Sequence, residues 1–317
     1  MDLGLTGATG HLGSVLLPRL LSDPRVDRVR SVARRALAEH PKLHHVRADL
    51  RTTEARHALA GVDVLVHLGF TLWRRAGMVG LSGAEGPMLA TNAEMGANVL
   101  GGAPGRIVLA SSVAVYGAWP GNPTPISEEL TPRPNPECRY AADKLSLEGL
   151  CAETAPSTIL RLSAVLGPSA DPRIGKAARG YRVAVPAVAG AAQALQFLDE
   201  VDAAAALQAA VHGAPSGVCN AATSDWLSAA DVAAVCGGRV VTLPRRALLA
   251  AAEAARLSGA IPFGSDRAVL LCGPLAVSSA RAGRLLGWRA ERTSAQVLGE
   301  AVVGAGASWR SKSRQVL

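Results

Sequence analysis

Lysine and aromatic residues are scarce in this sequence. Four lysines stand against 29 arginines, and 317 residues contain three tyrosines, three phenylalanines and five tryptophans. A nucleic-acid surface needs a clustered basic stripe and stacking rings; here the arginines are scattered and the rings few, so nucleic acid is not an expected partner. Cysteine is sparse too. Cys138, Cys151, Cys219, Cys236 and Cys272 form no CxxC pair and no cluster with histidine. That leaves neither a disulfide framework nor a zinc site, and the five read as free thiols of a reducing cytoplasm. Long apolar runs are missing. The most apolar later stretch, Val183 to Leu195, has 13 residues with Pro186 inside, short of the roughly 20 that span a bilayer. No basic region and apolar run precede the first strand-like stretch, so neither a signal peptide nor a membrane association is expected.

What is present fits a packed enzyme. Hydrophobic residues make up 49% and charged residues 18% of the chain, enough for a sizeable core and too apolar for disorder. A net charge of +8 suits an anionic ligand. Strand-like segments (Leu3–Thr6, Val26–Ala33, Leu43–Ala48, Val62–Leu68, Arg106–Ser111, Thr158–Leu162) alternate with helical patterns at His11–Ser22, Thr53–Leu59, Met88–Leu100 and Tyr140–Glu153. This alternation predicts an α/β fold, a Rossmann-type doubly wound parallel sheet, with ligands beyond the carboxyl ends of its strands. After Gly167 proline, glycine and alanine rise. The expected organisation is a dinucleotide-binding domain over 1–167 with 195–222 returning to the sheet. A smaller substrate-binding lobe takes 168–194 and 223–307, and a polar tail takes 308–317. A helix is expected at Asp199–Val211.

Two glycine runs match G-x-x-G-x-x-G, a spacing expected about 0.4 times by chance at this glycine content. Context separates them. Gly7, Gly10 and Gly13, with Thr9, His11 and Leu12 between them, follow the first apolar strand and open the first helix. There glycines let the backbone approach a pyrophosphate, and the helix N-terminus supplies amide donors. Gly77, Gly80, Gly83 and Gly86 follow Trp73-Arg74-Arg75 with no strand before them, and read as a loop near the substrate mouth. An acid about 20 residues beyond the motif usually binds the ribose 2′-hydroxyl of NAD. That count lands on Ala33, followed by Arg34 and Arg35. Guanidinium forks suit a 2′-phosphate, so the expected cofactor is NADP, with NAD as the alternative. In so arginine-rich a chain, the competing reading is a solvated surface pair.

With three tyrosines and four lysines, a chance Tyr-x-x-x-Lys is expected about 0.04 times, yet Tyr140-Ala-Ala-Asp-Lys144 is present. Four residues apart on a helix, the two side chains share a face. Lys144 can lower the pKa of the Tyr140 hydroxyl and hold the nicotinamide ribose, leaving Tyr140 to exchange a proton with a carbonyl or alcohol. Ser112 ends a strand and would hydrogen-bond the substrate oxygen. Alone, a strand-ending serine is more often a turn residue. His44 and His45 lack a third ligand, so no metal is expected, and Trp226, Trp288 and Trp309 read as packing residues.

These pieces together resemble the extended short-chain dehydrogenase/reductase family, the NAD-dependent epimerase/dehydratase group. The matching stretches are TGATGHLG at 6–13, ADL at 48–50, VDVLVHLG at 62–69, ASSVAVYG at 110–117, YAADK at 140–144 and LRLSAVLGP at 160–168. The resemblance implies Ser112, Tyr140 and Lys144 as the catalytic set. It implies Asp49 and Leu50 around the adenine, Leu68, Gly69 and Phe70 along the cofactor, Asn92 near the nicotinamide ribose and Ser163 by the nicotinamide amide. It also implies a homodimer, with Met95, Val99, Leu145 and Leu150 as apolar contacts. Three places depart from the family pattern. Gly69-Phe70 replaces an alanine pair, Ser163-Ala164 replaces a proline-glycine or asparagine-proline, and Leu195 stands where sugar-nucleotide members commonly carry an arginine. The leading expectation is an NADP-dependent oxidoreductase, a carbonyl reductase or ketoreductase acting on a small organic substrate. The alternatives are an NAD-dependent nucleotide-sugar epimerase/dehydratase and a non-catalytic dinucleotide-binding regulator, which would need only the glycine turn.

Overall fold

A computed structural model describes residues 1–71, 86–261 and 263–303, the side chains of 86–90 excepted. The second glycine triple up to Gly83, the Trp73-Arg74-Arg75 stretch, Trp309 and the tail lie outside the described residues. Eleven strands are described: β1 (Asp2–Thr6), β2 (Arg28–Val32), β3 (Leu43–Val46), β4 (Val64–His67), β5 (Arg106–Ser112), β6 (Ser157–Leu162), β7 (Ala164–Leu166), β8 (Ala184–Val188), β9 (Phe197–Asp199), β10 (Gly217–Ala221) and β11 (Arg239–Leu243). The helices are α1 (His11–Ser22), α2 (Thr53–Ala58), α3 (Gly86–Leu100), α4 (Arg139–Thr154), α5 (Pro172–Gly180), α6 (Glu200–His212), α7 (Ala229–Cys236), α8 (Arg245–Leu257), α9 (Ser265–Ala268), α10 (Ala280–Leu286) and α11 (Ser294–Val303).

Seven strands form one sheet in the order β10-β6-β5-β4-β1-β2-β3. The ladders joining β3, β2, β1, β4 and β5 are parallel, with Thr6 level with Val32 on one side and His67 on the other. This is the Rossmann-like sheet the alternation predicts. Its central strands are covered on both faces, which is why β4 reads as an unbroken run, Val64-Leu65-Val66-His67, all buried. The outer pairs β8–β11 and β7–β9 are separate two-stranded sheets. Strand β11 and its partner were not legible in advance, because each is short and flanked by loop-like sequence.

Local chemistry sets the helix ends. The Thr52 hydroxyl accepts from the Ala55 amide at the start of α2, and Ser228 with Asp231 forms a capping box on α7, which Gly237 closes in the left-handed region. The start of α1 differs. Its N-cap is Gly10, with no side chain on the first amides.

Contacts divide the chain into two units. The first comprises Met1–Ser111, Ala142–Leu160 and Ala204–Cys219; the second comprises Ser112–Ala141, Arg161–Ala203 and Asn220–Leu317. The first unit's core joins Leu59, Leu65, Leu100, Ile107, Leu109 and Leu147. Met95 and Val99 belong to that core and Leu150 packs on it, so Met95 and Val99 are not available to a contact between copies. The second unit has one core under α7 and α11, around Val185, Val232 and Leu298. Another, around Ala114, Cys138, Leu248 and Val269, carries the partly buried Tyr140 against it. All five cysteines are buried thiols. Trp288 is buried and donates its indole N–H to Asp202 O at 3.1 Å, whereas Trp226 is exposed. No helix among the described residues is long and apolar enough to cross a membrane.

The core makes a first prediction. Leu65 is fully buried at the centre of the sheet, so Leu65→Ala should cost about 2–5 kcal/mol in urea denaturation, transfer and cavity together. Leu257→Ala, at a site 70% exposed, should stay within about 0.5 kcal/mol. Equal effects would contradict this packing.

Candidate active site

In the first unit the carboxyl ends of β1 and β4 are joined through one oxygen. Thr6 Oγ1 accepts the amides of Leu68 at 3.1 Å and Gly69 at 3.0 Å and lies 2.8 Å from His67 Nδ1. Both lone pairs serve the amides, so the hydroxyl proton goes to Nδ1 and the imidazole carries its own proton on Nε2. His67 is 1% exposed. Burial, and secondarily the Lys144 charge, push its pKa down to about 3, so the ring is neutral. Its Nε2–H has no partner among the described residues.

The glycine turn runs directly out of β1. Gly7 has φ +72, and a Cβ there would sit 2.8 Å from the Leu68 carbonyl carbon. A Cβ on Gly13 would fall 2.1 Å from Gly7 O. The turn can close only without side chains, and at exposed Gly10 no side chain caps the start of α1. Thr9, His11 and Leu12 are partly exposed around it. Arg35 donates to Thr9 O, and its own carbonyl lies 2.9 Å from His45 Nε2. Arg34 is exposed. Asp49 is clamped by Arg51, Nε to Oδ1 at 2.9 Å and Nη2 to Oδ2 at 3.1 Å. Those bonds, with Arg34 contributing, hold the Asp49 carboxyl below the usual range. Leu50 is buried beneath.

Lys144 is buried, donates to Ala110 O at 2.7 Å and stands 4.1 Å over the centroid of the Phe70 ring. The departure at Phe70 therefore has a use: its π face meets a desolvated ammonium. Asn92 accepts from Thr71 N at 2.8 Å and donates to Thr71 O and Asp143 Oδ2, each at 3.3 Å. Ser111 donates to Glu148, one turn beyond Lys144.

In the second unit Ser112 and Tyr140 share a side-chain hydrogen bond, and Ser112 Oγ also accepts the Ala114 amide at 3.2 Å. Burial raises the Tyr140 pKa; the Arg267 charge and the Ser112 bond work against it. Arg267 lies 3.7 Å from the Tyr140 ring centroid. Sequence reading missed this residue, since it sits in a stretch with no motif. Ser163, just past β6, is buried with an unpartnered Oγ among the described residues. Leu195 packs on the core beneath α7 and α11 and bonds through its backbone to Leu227.

These features fit a nicotinamide dinucleotide. The glycine turn and the first α1 amides, which no side chain caps, suit its pyrophosphate.

The family assignment follows. The model of the NAD dependent epimerase/dehydratase family matches residues 4–236, and the chain belongs to that family, whose members are NAD-dependent enzymes. Uncharacterized proteins of Mycobacterium bovis and Mycobacterium tuberculosis are 30% identical over 235 residues. The match covers 68% of this chain and 60% of those relatives' length. Among solved structures, DesIV, a dTDP-glucose 4,6-dehydratase from Streptomyces venezuelae with NAD and TYD bound, superposes with TM-score 0.70 at 19% identity over 99% of this chain and 98% of that one. UDP-glucuronic acid 4-epimerase from Bacillus cereus in complex with NAD gives 0.69 at 18% over 96% and 99%. At such identities the likeness concerns the fold.

His67 yields a pH prediction. The unfolded chain protonates it near 6.5, the folded imidazole only near 3. Between those values the unfolded state binds more protons, so stability falls as pH drops through the window. From about pH 7 to about pH 5, wild type should lose about 2 kcal/mol more than His67→Gln in urea denaturation. Equal losses would mean that the folded ring is protonated.

Proposed function

We propose that this protein catalyses reversible hydride transfer at a secondary alcohol carbon of a nucleotide-sugar, in the manner of an epimerase or dehydratase. The observation that carries this reading is the hydrogen-bonded Ser112–Tyr140 pair, with Lys144 one turn further along α4. Tyr140 takes the proton from the substrate hydroxyl and returns it to the carbonyl oxygen. Ser112 holds that oxygen in line. Lys144, kept desolvated between Ala110 O and Phe70, binds the ribose beside it. The glycine turn, Asp49 with Leu50, Leu68 to Phe70, Asn92 and Ser163 would hold the dinucleotide, which would supply a reversible hydride acceptor. Family membership supports the substrate class.

A specific observation favours a second reading, an NADP-dependent carbonyl reductase. Asp49 is occupied by Arg51, while Arg34 and Arg35 follow the end of β2. Leu195, where an arginine would meet a diphosphate, is spent on packing.

Tyr140→Phe should fold and bind cofactor yet lose on the order of 100-fold or more in turnover. The assay uses UDP- and dTDP-hexoses with NAD, and simple ketones with NADPH. A loss under about tenfold removes Tyr140 from the chemistry. Stoichiometry separates the readings. Epimers interconverted with no net change in reduced nicotinamide absorbance favour the first, and one NADPH consumed per product favours the second.

Cofactor choice is tested apart from turnover by fluorescence titration with NADPH and NADH. Arg34→Ala should weaken NADPH about tenfold while sparing NADH, and Ala33→Asp should favour NADH. Equal affinities in wild type would sink the NADP assignment.

A further inference from the structure

Arg267 is a charge placed against Tyr140 that no motif announces. Its guanidinium carbon lies 3.7 Å from the centroid of the phenol ring, close enough for a flat stack. The side chain is only 17% exposed, so water screens the charge weakly. The short helix that carries it is pinned. Glu253 of α8 accepts the Ser265 amide at 3.2 Å and also holds Arg256. A Cβ on Gly264 would lie 2.0 Å from the Glu253 carboxylate, so the entry to α9 passes against that acid. Ala268 and Val269 then anchor the turn in the core that also carries Tyr140.

We propose that Arg267 is a positioning residue that acts through Tyr140. Its guanidinium fixes the ring plane and supplies positive charge over the phenol ring, so the phenolate forms at lower pH than burial alone would permit. A cation over an aromatic face is held by the ring quadrupole, and the attraction strengthens as the ring gains negative charge. The same charge offsets the cost of ionising a buried hydroxyl. Other groups also surround Tyr140 among the described residues. Ser112 shares its hydrogen bond, Cys138 lies nearby as a buried thiol whose pKa burial raises, and Lys144 follows one turn along α4. Asp266 pairs with Arg267 at 3.5 Å and is 43% exposed, which partly neutralises it. Arg245 and Glu137, near Cys138 in sequence or packing, are bound to each other. The proposal deepens the acid–base reading of Tyr140, and its importance for catalysis rests on that reading.

The test reads the phenol directly and needs no substrate. The full chain is produced with ring-fluorinated tyrosine, whose phenol is more acidic, and its three tyrosines are followed by fluorine NMR against pH. Tyr140→Phe assigns the resonance. Tyr116, whose hydroxyl donates to Asn220 Oδ1 at 2.9 Å, and Tyr181, pushed up to about 12 by burial, serve as internal controls. Arg267→Gln should raise the Tyr140 midpoint by about one pH unit, Arg267→Lys by less, and Asp266→Asn should lower it. Neither control should move. An unchanged midpoint in Arg267→Gln, or equal shifts of all three tyrosines, overturns the proposal. If Arg267→Gln does not fold, Asp266→Asn decides: a downward shift supports the proposal, and no shift or an upward one overturns it. Turnover plays no part here, so an active Tyr140→Phe would remove the proposed function while leaving this electrostatic coupling standing or falling by itself.

Discussion

A single hydroxyl oxygen, Thr6 Oγ1, organises the end of the sheet where a dinucleotide would lie. It accepts two consecutive amides from the segment after β4 and donates to the histidine that ends that strand. β4 is the middle strand of the seven and β1 lies between it and β2, so the tie joins two interior strands that are each held on both sides. Without it, the amides of Leu68 and Gly69 would face each other's strand ends unsatisfied, at about 1–3 kcal/mol each. The glycine turn depends on the same place. Gly7 passes so close to Leu68 and Gly69 that no side chain fits. Register, tautomer and turn geometry are one arrangement seen from three residues.

A second constraint is electrostatic. Helix α4 buries Asp143, Lys144 and Glu148 within six positions, a costly use of a helix face unless each charge is met. The structure meets them locally. Asp143 accepts from Asn92, Lys144 uses a carbonyl and a ring, and Glu148 accepts from Ser111. Hydrophobic burial alone does not explain why that helix sits where it does. Polar groups from β5 and α3 are spent on it, which is the pattern of a site held in advance of its ligand rather than of a core.

Much of this was legible in the sequence. Strands β1, β4, β5 and β6 and helices α1, α2 and α4 lie within a residue or two of where periodicity put them, because buried parallel strands are nearly pure runs of Val, Leu and Ile and because Gly7 to Gly13 punctuates one boundary. Tyr140 and Lys144 were readable because both residue types are rare here. The arrangement of the second unit was not. Its small sheets rest on pairs of short strands far apart in sequence, β8 with β11 and β7 with β9, and pairing between distant segments leaves no periodic trace. Arg267 is one arginine among 29, and only packing reveals that it lies on Tyr140. Met95 and Val99 illustrate the opposite limit: an apolar helix residue does not announce whether it faces its own core or another molecule.

Arg35 carries two duties, and this shapes how the protein can change over generations. Its side chain is tied to the carbonyl of Thr9 inside the glycine turn, while its neighbour Arg34 reaches solvent and senses Asp49 only through its charge. Substitutions at Arg34 are therefore nearly separable from the loop, whereas those at Arg35 disturb the glycine-turn backbone at the same time. Neighbouring positions that share partners do not combine additively. A drifting lineage would find a passable first step at Arg34, and position 35 would be open to replacement only after the turn had acquired another tether.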